Sequence, residues 1–343
     1  MVGIALFFLF CLSLPAAQPK ALFYITASPN GVRSFVEHAG KIDIIVPTWY
    51  SVNADGLVWG GPDPLVLETA RAHHVEVMPI VSNPGFNQAD FHKLLADETA
   101  QFKMVPALIG ECKKYGYSGF QFDFEHVSWT DRDGLSSMVI RAADIFHRNG
   151  FKLSIATVPN APGYPGTGGF ARWIYENWRG AYDLQKIGAA VDFLCLMTYD
   201  EHTSYTPPGP VAGYPWTVEN LQYALQVVPK EKLSLGIPLY GRHWFASAPG
   251  KDDKPTVSAA SISAPDAVQL AKTYHAPIEW DSTARAAWFY FYRDETQEWV
   301  FFTDERSFRE RLDLVRQDTL QGFCSWVLGE EDPAIWNLLP ERK

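Results

Sequence analysis

The chain has 343 residues, of which 47% are hydrophobic and 20% charged, a balance that fits a folded globular protein with a large core and excludes an intrinsically disordered one. Its formal charge of −10 at pH 7 excludes nucleic acid as a partner, because binding a phosphate backbone needs clustered Lys and Arg. The 12 Trp, 15 Tyr and 22 Phe supply flat amphipathic surfaces as well as core.

Residues Ile4 to Leu14 form an apolar run too short to span a bilayer comfortably. Its place at the N-terminus predicts a signal peptide over 1–17, with residues 18–343 forming the mature protein. The alternatives are a buried N-terminal strand or a retained anchor. Export predicts a secreted, periplasmic or cell-envelope protein with no stable membrane insertion afterwards. Cys112, Cys195 and Cys324 are too widely spaced for a disulfide framework or a zinc motif, and Cys195 and Cys324, lying in apolar runs, are expected as small buried hydrophobes.

From residue 21 onward short β-rich runs alternate with helical stretches, the pattern of repeated βα units. Eight runs are present: Ala21 to Thr26, Ile42 to Val46, Val75 to Val81, the stretch Tyr117 to His126, Lys152 to Val158, Val191 to Tyr199, Leu233 to Leu239, and Gly322 to Leu328. Helices are expected over Pro64 to His74, Ala89 to Tyr115, Asp133 to Arg148 and Glu305 to Gln317. The predicted architecture is α/β, a (β/α)8 TIM barrel, with an open doubly wound sheet as the alternative. Over eighty residues separate the seventh and eighth runs. That interval is too long for one crossover helix and predicts an inserted α+β subdomain over 243–303. Inside it, Ala267 to Tyr274 looks helical, and Ala287 to Tyr292 and Trp299 to Thr303 flank a polar turn.

In the fourth run side chains alternate, so Phe120, Phe122 and Phe124 share one face and Gln121, Asp123 and Glu125 the other. Two acids on one face of a strand are costly to bury without a purpose. An exposed edge strand would account for them, as would the mouth of a barrel, where active sites lie at the C-terminal ends of the strands. The other runs end in comparable groups: Tyr199 and Asp200 after the sixth, Tyr240 and Arg242 after the seventh, Trp326 in the eighth. Acids and aromatics therefore converge where a barrel would put a site.

The run Ser118-Gly119-Phe120-Gln121-Phe122-Asp123-Phe124-Glu125 resembles the signature of glycoside hydrolase family 18, in which three aspartates and a glutamate alternate along the fourth barrel strand. Leu196-Met197-Thr198-Tyr199-Asp200, Leu235 to Arg242, and Gly322 to Trp326 followed by Gly329-Glu330-Glu331-Asp332 are similar to its later motifs. The likeness spans about residues 22 to 338, and among subgroups it looks most like the bacterial spore-cortex and peptidoglycan glucosaminidases. Two signature aspartates are replaced, by Ser118 and Gln121, so Asp123 would have a neutral partner beneath it.

The resemblance implies a retaining, substrate-assisted glycosidase acting on β-1,4-linked N-acetylglucosamine in peptidoglycan or chitin-type oligomers. Glu125 would be the acid/base, Asp123 would orient the 2-acetamido group, and Tyr199 would hydrogen-bond its carbonyl. Gln121, Asp200, Trp326, Trp49, Tyr240 and Arg242 are the expected substrate-binding residues. Tyr50, Trp129, Tyr164, Tyr205 and Trp244 are further aromatics that could stack on sugar or simply pack in loops. His126 and His202 lack a second ligand at metal spacing, so no metal or other cofactor is expected. The segment Gly163 to Gly169 lacks a phosphate-binding pattern and is expected to be a mobile loop. A non-hydrolytic lectin on the same fold is the competing reading.

Overall fold

The computed structural model describes residues 18–160, 165–246 and 257–342; the apolar run at 4–14 and Tyr164 lie outside the described residues. The barrel strands are Lys20–Ile25, Ile44–Pro47, the split pair Glu76–Val77 and Ile80–Ser82, Gly119–Asp123, Lys152–Thr157, Phe193–Leu196, Leu233–Pro238 and Gly322–Trp326. They pair in parallel and in sequence order, and the eighth returns to the first, with Leu22 opposite Cys324. The expected (β/α)8 barrel is the observed fold.

The ring has a seam at its third strand. Glu76 and Val77 pair with Ile44 and Ile45 on one side, while Ile80 to Ser82 pair with Gln121 to Asp123 on the other. Between them Met78 N donates to Ile45 O at 3.0 Å and Gln121 N donates to Pro79 O at 2.9 Å. Pro79 has no N–H to give to a ladder, and the strand is interrupted there without breaking the ring.

Alternation along each strand produces two cores. Facing outward, Phe120, Phe122 and Phe124 are fully buried beneath the helices, Phe124 lying 4.5 Å from Phe91 between ring centroids. Burying each contributes about 1.5–3 kcal/mol. Facing inward, Leu22, Tyr24, Val46, Met78, Cys195, Met197 and Cys324 fill the barrel. Cys112, Cys195 and Cys324 are free and buried. Gly119 allows the fourth and fifth strands to meet, since a Cβ there would lie 1.9 Å from Lys152 O.

Several elements differ from the sequence expectation. The single helix expected over Ala89 to Tyr115 is two, Gln88–Ala96 and Glu98–Tyr115, because Asp97 leaves the helical region and its carboxylate accepts from Thr99 N and Ala100 N as an N-cap. The fourth strand ends at Asp123 and the sixth at Leu196, so Glu125 and Tyr199 sit on the connections beyond them. Part of the segment expected to be a loop after the fifth strand, together with the residues that follow, is helical: Gly169–Ile174 continues into a π-turn over Tyr175–Arg179.

Between the seventh and eighth strands the chain builds an antiparallel sheet ordered Val257–Ser263, Tyr240–Ala246, Thr296–Phe302, Ala286–Arg293, Glu279–Asp281, with helix Ala264–Thr273 on one face. The first two of these strands and Glu279–Asp281 were not expected from the sequence. The hairpin turn is tighter than Arg293 to Glu298: only Asp294 and Glu295 are outside the strands, with φ of 48° and 62°, as a two-residue turn of this hand requires. Arg311, 2% exposed on helix Glu305–Gln317, ties this sheet to the barrel. Its guanidinium donates to the carbonyls of Ala284, Arg285, Ser307 and Ala212, and burial holds it down to about 10.

Candidate active site

A cleft of about 620 Å³ opens at the C-terminal ends of the strands, a size suited to a small ligand or one end of a polymer. Glu125, Tyr199, Asp200 and Arg242 line it together with Met197, Phe170, Trp173, Trp178 and Tyr205. Four expected site residues are thus brought to one cavity from the fourth, sixth and seventh strands.

Asp123, 8% exposed, ends the fourth strand, and Gln121 lies two residues deeper, fully buried inside the barrel. Gln121 Nε2 donates to Ser154 Oγ at 3.1 Å and to Cys195 Sγ at 3.3 Å. Among the described residues, Gln121 Oε1 and Asp123 Oδ1 have no hydrogen-bond partner. Burial pushes the Asp123 carboxyl up to about 7. Burial also raises Glu125 well above the ordinary glutamate range, and the negative charges of Asp123 and Asp200 add to the effect. Two acids are therefore held with proton affinities far above those of free carboxylates.

The backbone carrying Glu125 is pinned at each residue. Tyr182, 2% exposed, donates its hydroxyl to Phe124 O at 2.6 Å. Asn83, 3% exposed, grips Glu125 itself: Nδ2 donates to Glu125 O at 3.0 Å, and Glu125 N donates to Oδ1 at 3.2 Å. His126 then turns into the left-handed region, φ 54°, and its ring stacks on Trp178 with centroids 4.9 Å apart.

Asp200 also has a left-handed φ, 61°, which costs an aspartate little but is uncommon. Tyr240 donates its hydroxyl to Asp200 Oδ1 at 2.6 Å, and Arg242 Nη2 donates to the same oxygen at 2.5 Å. Tyr240 thus stands behind Asp200, with its own phenol raised by burial and by that carboxylate. Burial raises the Tyr199 phenol as well, keeping it a hydrogen-bond donor at neutral pH. Trp326 packs on the inner core beside Tyr24, centroids 5.4 Å apart.

Trp49 is elsewhere. Its ring packs 6.1 Å from Tyr117 in the layer between barrel and helices, because the chain turns outward after the second strand to add Tyr50–Val52 alongside Ile80–Ser82. Tyr50 follows it there, bonding Glu111 and Tyr117. Trp244 is buried, 1% exposed, against Phe301, whereas Tyr205 is 87% exposed at the cleft edge. Sequence reasoning missed Asn83, Tyr182 and the wall formed by Phe170, Trp173 and Trp178. The aromatic density of Phe170 to Tyr182, immediately after a strand end, was the available signal.

Fold and cleft together define a parallel-stranded (β/α)8 barrel with a paired-acid site at its mouth. The sequence profile described as glycosyl hydrolases family 18 matches residues 32–331, and the chain belongs to that family. It is similar to the cortical fragment-lytic enzyme of Bacillus subtilis (strain 168), at 29% identity over 280 residues, covering 81% of this chain and 62% of that relative. The chain thus spans less than two thirds of that protein's length. Among solved structures it is similar to a chitinase from Chromobacterium violaceum ATCC 12472, TM-score 0.82 at 26% identity, covering 93% of this chain and 97% of that one. The Bacillus cereus spore cortex-lytic enzyme SleL superposes with TM-score 0.82 at 26% identity, covering 94% and 73%.

Proposed function

We propose that the protein is a retaining glycosidase that cleaves β-linked N-acetylglucosamine in peptidoglycan by substrate-assisted catalysis. The observation that carries this reading is Glu125, its proton affinity raised by burial and by the charge of Asp123 beneath it, in one cleft with a protonated Tyr199. The 2-acetamido oxygen of the substrate attacks the anomeric carbon and the glycosidic bond breaks. Glu125 gives its proton to the leaving oxygen, then takes one from the water that opens the oxazolinium ring. Asp123 orients the acetamide N–H and balances the positive charge that develops, with Tyr199 donating to the acetamide oxygen. Asp200, held by Tyr240 and Arg242, bonds the sugar, and Trp326 floors the ring.

Peptidoglycan is favoured over chitin by the likeness to the cortical fragment-lytic and spore cortex-lytic enzymes, whose names place their action on the spore cortex. Among the described residues no helix is long and apolar enough to cross a membrane, and the apolar run ahead of residue 18 supports export to the cell envelope. Product analysis on purified peptidoglycan, on N-acetylglucosamine oligomers and on a chromogenic chitobioside tests the reading. Cleavage that is abolished in Glu125→Gln with binding retained supports it; binding without turnover in the unaltered protein makes it a lectin.

A further inference from the structure

One face of the inserted sheet carries an aromatic ladder that no step of the reaction uses. Alternation sends Phe289, Phe291, Val300 and Phe302 onto helix Ala264–Thr273. It sends Trp288, Tyr290, Tyr292, Trp299 and Phe301 to the opposite face. Tyr290 is 41% and Tyr292 61% exposed, and the other three are partly exposed. The rings form one continuous surface: Trp288 lies 5.8 Å from both Trp299 and Phe301 with planes within 19° of parallel, and Tyr290 lies 5.4 Å from Trp299.

Register ties this surface to the cleft. Arg242 pairs with Phe301, and Phe301 with Trp288; residues directly opposite on neighbouring strands share a face. Arg242 is also the residue that lines the cleft and bonds Asp200. The next row, two residues further from the barrel, is Trp244, Trp299 and Tyr290, and the last pair is Gln297 and Tyr292. At about 3.4 Å per residue the ladder leads some 13 Å away from the Arg242 row, room for more than one sugar ring.

We propose that this ladder is an accessory glycan-binding surface, which holds the chain of an N-acetylglucosamine polymer outside the catalytic cleft and keeps the enzyme on an insoluble substrate. The inference rests on the reading of the substrate given above. Apolar pyranose faces pack on the rings while the Tyr290 and Tyr292 hydroxyls bond sugar hydroxyls, the dual chemistry for which exposed aromatic patches are suited. A second copy of the chain is a poorer occupant, since a charge of −10 opposes self-association. Joining the two surfaces on one polymer raises avidity without changing the chemistry in the cleft.

The test pairs two measurements on the full chain. In a Glu125→Gln background, Tyr290→Ala/Tyr292→Ala should weaken co-sedimentation with insoluble peptidoglycan and chitin about tenfold, the scale of two lost aromatic contacts. In the otherwise unaltered enzyme the same pair should retain turnover of a soluble chitobioside, which is too short to reach the ladder. Tyr292→Ser, at the most exposed ring, provides a variant with no core contact to lose and should weaken polymer binding about threefold. Polymer binding equal to that of the parent overturns the inference, as does a dimer that these variants dissociate with polymer binding unchanged. If neither the chitobioside nor purified peptidoglycan is cleaved by the unaltered enzyme while the variants still lose polymer binding, the catalytic reading fails and the ladder stands.

Discussion

Asn83 and Glu125 are joined at two points, the carboxamide of one closing on both backbone polar groups of the other at 3.0 and 3.2 Å. Asn83 follows directly on the third barrel strand, which ends at Ser82, so a rigid element sets the position of the acid. Asn83→Ala should lower kcat by about ten- to a hundredfold with a smaller change in KM, since misplacement affects the transition state most. It should also cost about 1–3 kcal/mol in a denaturant melt from the backbone groups left unpaired. A parallel loss of kcat and binding would mean that Asn83 only holds the fold.

Asp123→Asn separates two effects of one charge. With its negative neighbour gone, Glu125 should release its proton more readily, and the alkaline limb of the kcat profile should move to lower pH while kcat falls. Stability should move the other way. Asp123 keeps its proton up to about pH 7 in the native protein but loses it near 3.9 when unfolded, so native stability falls as pH rises between those values. Asn has no proton to lose, and the variant should be more stable than the parent above pH 7 by roughly 1–3 kcal/mol, read from thermal or denaturant melts.

Gln121→Asp places a carboxyl beneath Asp123 among Ser154 and Cys195. Like charges at close range raise each other's proton affinity. The acid limb of the pH–rate profile, set by ionisation of Asp123, should therefore move upward, while Gln121→Glu, isosteric with the native residue, should do the same without the packing gap that Asp leaves. An acid limb that stays fixed in Gln121→Asp would mean that Asp123 does not control it.

Arg311→Met removes the guanidinium that donates to four carbonyls where the inserted sheet meets the barrel, of which Ala284 O keeps Tyr214 N as a donor. It should lower stability by about 2–5 kcal/mol in a denaturant melt. Because Arg242 belongs to that sheet, KM for short substrates should rise even under conditions where the variant remains folded.

The sequence made the barrel legible because β-rich runs alternating with helical stretches recur eight times, and because three buried phenylalanines leave Gln121, Asp123 and Glu125 on one face. What it did not reveal depends on contacts remote in sequence. Asn83 is 42 residues from Glu125, and an asparagine before a proline looks like any turn residue. Trp49 was expected near sugar because it follows a strand end, but the local turn that carries it outward is set by pairing with residues some thirty positions later. The wall at Phe170 to Trp178 was hidden by its glycine-rich approach, and its π-turn has no recognisable sequence period.

The seam at Met78-Pro79 has a bearing on folding. Ile80 to Ser82 pair with the strand that carries Asp123, and Asn83 leaves that same segment to hold Glu125. Pairing of the third and fourth strands secures the acid, but Tyr199 and Asp200 follow the sixth strand and Arg242 the seventh, so a partly zipped barrel would contain every catalytic residue without bringing them together. Recovery of activity during refolding should therefore report ring closure itself and lag behind the return of helical signal.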